Sequence, residues 1–506
     1  MLTGIMPLFD HLRSHSMSNA KRYHIPGHNG GSLYDIPFWR DLGRWDVTET
    51  YGMDDLHAPH SVIREAQELA ARAFGSDTTH FLVNGTSSGI LAAIHGLFDR
   101  NDTVLVQRNA HKSVYNGLAL LGAQTQYIMP EIMNPGNIPG AVSPQTLAEA
   151  LEKYPQAKGV ILTSPTFYGT AADIRSIAEL CKKSRVALIV DEAHGAHYGF
   201  HPHLQRKSAI YNGADIVIQS IHKTLPALTM GSMLHVCQSA KTKNINIEKL
   251  MYYLSVFQTT SPSYLVMASL DYARHWMSHK GQAALDHAYE RKARFIDSLH
   301  EMGVCAWDRQ WEKDGYGNDP LKLTISLGGT NRTGRLWEQI LAEDQIFVEL
   351  VGTDHVMLVL TFTDEISSDI RRADSNIVHP YDLRLLQCLA KNMKDLEGSY
   401  LQQRVNSGAL ETLPLDALQQ DVIPEIAMPL AEAITKAYAD ASIVPLQQSV
   451  GRIAAEFIVP YPPGVPTLCP GERISASLIE SLIKARQAGI RFQGAADSSL
   501  NTIKVI

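Results

Sequence analysis

The stretch "DIVIQSIHKTLPALTMGSMLH", Asp215 to His235, decides how this chain is read. Its apolar run Ile216-Val217-Ile218 has strand character and leads straight into Ser220-Ile221-His222-Lys223. A lysine at the end of a buried strand sits where desolvation is costly, unless something uses its charge or removes it. A solvated lysine in a strand-to-loop turn is the ordinary alternative, and for one lysine alone it is the better reading. The neighbouring segments change that balance.

Four other short apolar runs precede it: "HFLV" (His80 to Val83), "TVLVQ" (Thr103 to Gln107), "GVILT" (Gly159 to Thr163) and "VALIV" (Val186 to Val190). They are uniformly apolar rather than alternating, as strands of a parallel sheet covered on both faces should be. Helix-like segments separate them. Before the first, "SVIREAQELAARAFG" places Val62, Ile63, Ala66, Leu69, Ala70 and Ala73 on one helical face and stops at Gly75. Alternating strands and helices predict a wound α/β domain, with its ligand site at the carboxyl ends of the strands.

The rest of the chain carries weaker signals. After a short leading helix, "YHIPGHNGG" (Tyr23 to Gly31) is too rich in Gly and Pro for regular structure. A break at "KDGYGNDP" (Lys313 to Pro320) precedes two more strand-like runs, "LKLTISL" and "VMLVLTF", and the polar stretch from Thr363 to Asn376 reads as a loop. The remainder is expected to be largely helical up to "PYPPGVPTLCPGE" (Pro460 to Glu472), whose prolines forbid helix. Ser477 and Glu480 then have the spacing of a capping box opening a last amphipathic helix.

A chain of 506 residues can bury a large core and is long enough for two or three domains. With 45% hydrophobic and 19% charged residues, the balance is that of a folded globular protein. A net charge of -7 gives no electrostatic basis for a nucleic-acid or anionic-membrane partner. The five cysteines, Cys181, Cys237, Cys305, Cys388 and Cys469, are scattered and form no CxxC pair, which argues against a disulfide framework or a zinc site. No apolar run reaches membrane-spanning length and the N-terminal residues lack a signal-peptide layout, so the expectation is a soluble cytoplasmic protein.

The strand ends carry the chemistry. "HFLV" is followed by Asn84-Gly85-Thr86-Ser87-Ser88-Gly89 and a helix. Hydroxyls and glycines at a helix N-terminus make an anion site suited to phosphate, although ordinary capping by Ser or Thr is the commoner use. The segment has neither the P-loop lysine nor the dinucleotide spacing, which disfavours ATP and NAD. "TVLVQ" leads to His111, a residue type more often structural than catalytic when met alone. "VALIV" ends in Asp191-Glu192-Ala193-His194. That aspartate could cap a turn, act as a base, pair with a buried cation or, with His194 and His197, bind a metal. Together a phosphate cradle, a histidine, an aspartate and a lysine match the needs of pyridoxal 5'-phosphate. Its aldehyde requires an amine, its ring nitrogen a carboxylate and its phosphate an anchor. The anomalous Lys223 is thereby explained.

From about Tyr23 to Glu472 the sequence resembles the pyridoxal-phosphate-dependent ornithine/lysine/arginine decarboxylases, which have the aspartate aminotransferase fold (fold type I). The likeness rests on "YHIPGHNGG", "DDLHAP", "FLVNGTSSG", "RNAHKS", "TSPTFYG", "DEAHG", "SIHKTLPALT", "QTTSPSYLVMASLD" and "PYPPGVPTLCPGE", in that order. It implies the compact form of the family. The expected layout is an N-terminal arm and helix (1–55), a PLP-binding α/β domain (56–290), a small α+β domain (291–380) and a C-terminal decarboxylase domain (381–506).

The resemblance also implies residue roles. Lys223 would hold the cofactor, Asp191 would pair with the ring nitrogen, His111 and Ala193 would lie against the two ring faces, and His194 would reach the phenolic oxygen. Thr86, Ser87, Ser88, Ser220 and His222 would serve the phosphate. The site would lie between two subunits of a homodimer or a dimer-based higher oligomer, with "QTTSPSY" (Gln258 to Tyr264), including Thr260, coming from the partner. Two departures stand out: Asn29 where the family often has lysine, and Met230 where it often has glutamine.

The implied activity is α-decarboxylation of arginine, lysine or ornithine to agmatine, cadaverine or putrescine, a step that makes polyamine precursors. Another reaction on the same fold (an aminotransferase or a lyase) and a catalytically impaired regulatory homologue are the alternatives. No arginine in a recognisable motif favours transamination, and Lys223, Asp191 and His111 are all present. A basic substrate needs a carboxylate for its distal cation. The candidates are Asp319, Glu349 and Glu472, with Glu349 preferred because it ends an apolar run in the smaller domain. No metal is expected.

Overall fold

β-Branched and leucine-rich runs with apolar side chains at every position can only be satisfied by cover on both sides, and that is what the sheet receives. The computed structural model describes residues 5–18, 22–314, 319–327, 334–352, 354–362, 380–393, 424–461, 464–487 and 489–506. The central strands are Thr78–Leu82 (β1), Thr103–Gln107 (β2) and Gln124–Ile128 (β3). A small pair, Ile132–Met133 (β4) and Ile138–Pro139 (β5), lies off the sheet. Gly159–Thr163 (β6), Ala187–Asp191 (β7), Ile216–Ser220 (β8) and Ser232–Val236 (β9) follow. They assemble in the order β1-β9-β8-β7-β6-β2-β3. All ladders from β3 to β8 are parallel, and β9 is antiparallel to both β8 and β1. Only β9 is therefore reversed, and the other strands share one carboxyl edge.

Successive side chains of each strand enter opposite cores, as the strand period of two requires. Leu105, Val160, Leu162, Leu188, Val190 and Val217 pack with the helices Val62–Phe74, Ile174–Ser184 and Tyr264–Glu301. Val104, Val106, Ile161, Ile189, Ile216 and Ile218 pack with Gly85–Leu97, Lys112–Leu121 and Ile247–Phe257. Gly89 lets the helix Gly85–Leu97 press onto the sheet, since a Cβ there would come 2.6 Å from Leu82 Cδ1. Gly75 ends the helix Val62–Phe74 at φ 82°, where a side chain would be strained.

The 38-residue helix Tyr264–Glu301 carries the chain out of this core. Its last turns, through Phe295, Ile296 and Leu299, cover a three-stranded antiparallel sheet of Lys322–Ser326 (β10), Leu350–Val351 (β11) and His355–Val359 (β12), in the order β10-β12-β11. Beyond residue 424 a further apolar cluster is built by the helix Ala476–Gln487 and the strands Ser442–Pro445 (β13) and Thr502–Val505 (β16). Val459–Pro460 (β14) pairs with Phe492–Gln493 (β15).

Three sequence expectations need correction. The strands β3 and β9 were not anticipated: "QTQYI" alternates polar and apolar residues because it is a sheet edge, and "SMLHV" is short and follows directly on the lysine turn. The segment before Pro460 is helical only in part among its described residues: the helices Pro380–Met393 and Leu430–Ala439 form, and after them come β13, a short helical turn and irregular chain. Finally, Ser477 lies inside the last helix. The cap is Ser475, whose Oγ accepts from the N–H of Leu478 at 3.2 Å. The polar stretch Thr363 to Asn376 lies outside the described residues.

Candidate active site

Parallel strands deliver their carboxyl ends to one edge, and that edge forms a cavity. It is lined by Thr86 after β1, Asn109 and His111 after β2, and Thr163, Thr166, Phe167 and Tyr168 at and after β6. Asp191, Ala193 and His194 at and after β7, and Lys223 after β8, complete that wall. The predicted lysine, aspartate and histidines thus converge from separate strands. A contiguous opening adds His222, Lys322, Phe347, Val348, Glu349, Leu358, Val359 and Thr361 around His194 and Lys223.

Lys223 sits in a single helical turn, Ile221–Thr224, that starts where β8 ends. It stays accessible from the cavity, but the surrounding protein lowers its pKa by burial, against the opposing pull of Asp191 and Glu349. Its Nζ is 3.1 Å from His194 Nε2. Asp191 is buried at the end of β7, and Oδ1 accepts from the N–H of Ala193 at 3.1 Å. Burial raises its pKa, offset by Lys223 and that N–H. His111 caps the helix Lys112–Leu121, with Nδ1 accepting from the N–H of Ser113 at 3.2 Å. Burial, with Lys223 and Lys112, pushes its pKa down to about 4, so the ring is neutral. Gly464, at φ 88°, lies against this ring, and a Cβ there would be 3.2 Å from it.

The helix Gly85–Leu97 starts at Asn84 without a side-chain cap, because Asn84 Oδ1 instead accepts from the N–H of Thr259 at 3.2 Å. Its first-turn N–H groups therefore have no capping side chain, in contrast to the ordinary Ser/Thr cap. Thr86 Oγ1 accepts from Ser220 Oγ at 3.2 Å, and Ser87 is exposed beside it. Ser88 is turned inward, its hydroxyl donating to the Gly85 carbonyl at 2.8 Å. His222 is tied through Nδ1 to the Gly231 carbonyl at 3.0 Å. Thr260 is exposed on the loop before the long helix and does not line its own chain's cavity.

Among the three candidate acids, Glu349 alone opens onto the cavity. Asp319 is fully buried with His197, Oδ1 to Nε2 3.0 Å, and Glu472 is buried against Arg108 at 3.1 Å. Each of these two carboxylates already has a cationic or proton-sharing partner within the chain. His197 is thus engaged with Asp319, and among the described residues no three His, Cys, Asp or Glu side chains are gathered as a metal-ligand set. The two departures, Asn29 and Met230, both hold left-handed backbone, at φ 49° and 75°. Asn adopts this region readily, Met seldom.

One site residue escaped the sequence reading. Lys322 opens β10, is 1% exposed, and lies 3.3 Å from His194 Nδ1, with Nζ 5.3 Å from the centre of the Phe167 ring. Its signal was a lysine between leucines inside a strand pattern, "LKLTISL".

The donor set fits pyridoxal 5'-phosphate. An uncapped helix start with hydroxyls, a buried carboxylate, a lysine amine, a neutral histidine and the small Ala193 share one cavity. Thr163 Oγ1 on the wall is buried without a partner.

The family described as "Orn/Lys/Arg decarboxylase, major domain" matches residues 6–314, and its C-terminal domain matches residues 411–497. The chain is 36% identical to the Bacillus subtilis (strain 168) uncharacterized protein YaaO over 96% of both chains. It is 34% identical to an arginine decarboxylase of the same organism, covering 99% of this chain and 97% of that one. The structure of Escherichia coli constitutive lysine decarboxylase superposes with a TM-score of 0.80 at 21% identity, over 99% of this chain and 82% of that one. The likeness in fold is that of fold type I, with its mostly parallel sheet. The chain belongs to the Orn/Lys/Arg decarboxylase family and is an amino-acid decarboxylase.

Proposed function

We propose that the protein removes the α-carboxyl group of a basic amino acid (arginine, lysine or ornithine) with pyridoxal 5'-phosphate as cofactor, releasing CO2 and agmatine, cadaverine or putrescine. The observation that carries this reading is the convergence of Lys223, Asp191, His111 and His194 on one cavity that Glu349 also faces. Thr86, Ser87 and Ser220 would hold the phosphate with the first N–H groups of their helix, joined by His222. Lys223 would hold the aldehyde carbon.

When bound, the cofactor supplies a conjugated ring that accepts the electron pair left by the departing carboxyl group. Asp191 would hold a proton at the ring nitrogen, which its buried negative charge would favour. Neutral His111 would lie against one ring face without competing for that charge, and the small Ala193 would leave room at the other. His194 would serve the phenolic oxygen. Glu349 receives the distal ammonium or guanidinium, which fixes the α-carbon relative to Lys223. One proton returns to that carbon from the Lys223 side, so that amino acid and proton become amine and CO2.

A shared dimer site is part of this reading. Tyr23, Leu33, Phe38 and Trp39 of the N-terminal arm expose between 46% and 97% of their surface, as do Tyr252 and Val256 at 63% and 52%, which supports a covering partner. Among the described residues, no helix is long and apolar enough to cross a membrane. Polyamine-precursor synthesis in the cytoplasm suits such a chain.

Release of labelled CO2 from carboxyl-labelled arginine, lysine and ornithine by purified, cofactor-loaded protein tests the reading. Borohydride should fix the pyridoxyl group on the peptide containing Lys223. Label on another lysine, or amino-group transfer without CO2, would overturn it.

A further inference from the structure

His194 stands between two lysines, with Nε2 3.1 Å from Lys223 Nζ and Nδ1 3.3 Å from Lys322 Nζ. Burial, followed by the two lysines, lowers the pKa of this histidine, so the ring is neutral. A neutral imidazole has one N–H and one lone pair. It can therefore accept from one lysine and must donate to the other, and the lysine that accepts must be an uncharged amine.

The surroundings say which one that is. Lys223 opens to the cavity, with Asp191 and Glu349 supporting its charge. Lys322 is 1% exposed and, among the described residues, has no carboxylate within 4 Å. Asp319, from the turn before β10, gives Oδ1 to His197 and leaves Oδ2 without a hydrogen-bond partner among the described residues, and both Asp319 and, after it, Glu349 act on Lys322 at longer range. The other ionisable groups facing this corner are Lys223, His222 and, across His194, His111 and His197. Burial pushes the pKa of Lys322 down to about 8, against Asp319 and Glu349.

We infer that Lys322 is a positioning residue that takes the proton of Lys223 through the His194 ring. Lys223 Nζ gives a proton to His194 Nε2, and the proton on Nδ1 passes to Lys322 Nζ. Lys223 becomes a neutral nucleophile, His194 exchanges one neutral tautomer for the other, and Lys322 becomes the ammonium. Charge is conserved and no co-reactant is needed. The small sheet thus supplies the acceptor that readies a lysine of the large sheet. This rests on the proposed role of Lys223 in holding the cofactor.

The test follows the rate at which full-length apoprotein captures added pyridoxal phosphate, read by absorbance from neutral to alkaline pH. The parent rate should rise with a midpoint near 8. Lys322→Met lacks an acceptor and Lys322→Arg is permanently charged, so both should be slower by about 10²-fold and lose that midpoint. A purely electrostatic role predicts opposite signs, since Arg would still repel a proton from Lys223. Capture by Lys322→Arg at or above the parent rate overturns the relay. Side-chain NMR titration of the lysines in the parent apoprotein adds a reading independent of any variant and needs no reagent to reach the buried amine. Lys322 should show a midpoint near 8, and an ordinary lysine midpoint overturns the proposal. A parent that captures no cofactor overturns the proposed function itself, whereas capture unaffected by either substitution overturns the relay alone.

Discussion

The carboxylate of Glu472 and the guanidinium of Arg108 form a buried ion pair at 3.1 Å that ties the end of β2 to the C-terminal segment 364 residues further on. Arg108 also donates to the Pro466 carbonyl at 2.6 Å and the Thr467 carbonyl at 3.0 Å, and Glu472 accepts from the N–H of Cys469 at 2.8 Å. Breaking such a pair from one side strands a buried charge. Arg108→Met should destabilise the protein by about 3–5 kcal/mol. Arg108→Met/Glu472→Leu should cost clearly less than the sum of the single changes. Denaturant unfolding of the four proteins measures this, and strict additivity would contradict it.

Glu192, next to Asp191, accepts from the Ala209 N–H and the Gln219 amide, each at 2.7 Å, with its side chain fully buried. Burial pushes its pKa up to about 8 despite these donors. The folded form therefore keeps a proton that the unfolded chain releases near its ordinary 4.5. The stabilisation is fully present below the unfolded value and is lost as pH rises toward 8, by about 1.4 kcal/mol per pH unit. Glu192→Gln should flatten stability over this window. Equal slopes in parent and variant would exclude the linkage.

Asp191→Asn should keep the fold and part of the cofactor content while losing activity by several orders of magnitude, because the ring nitrogen loses its counter-charge. Cofactor absorbance and CO2 release measured on the same sample separate these effects. Activity close to that of the parent would remove Asp191 from this role.

Glu349→Gln should lower kcat/KM for the preferred basic amino acid by roughly 10- to 100-fold, equivalent to ~1.5–3 kcal/mol for a hydrogen bond to a charged group. Glu349 remains accessible to solvent, which keeps this below the cost of breaking a dry ion pair. Cofactor content should not change. Unaltered kinetics with arginine, lysine and ornithine would reject the assignment.

Mixing Lys223→Ala chains with chains carrying Thr260→Ala and Ser261→Ala should restore activity to a fraction of the mixed dimers, if each site borrows the Thr260 loop of the partner. Both parents of the mixture should be nearly inactive. A fully active monomer in sedimentation would rule out shared sites.

The strand ends were legible in the sequence because they obey local rules. Apolar runs such as "VALIV" and "DIVIQ" point to a sheet covered on both faces, and the polar residues after them, Asp191 and Lys223, point to a site only when read together with the hydroxyl cradle and His111. Only the tertiary structure separates Asp319, Glu349 and Glu472, which look alike along the chain. Two of them meet a buried partner, His197 or Arg108, and the third meets open space beside Lys223. Lys322 was hidden for the same reason. Its neighbour His194 is 128 residues away, and a lysine in a strand has no local mark of what it will face. Sequence pattern records which side chains must leave water; which groups they then meet depends on contacts between distant segments, where no local periodicity operates.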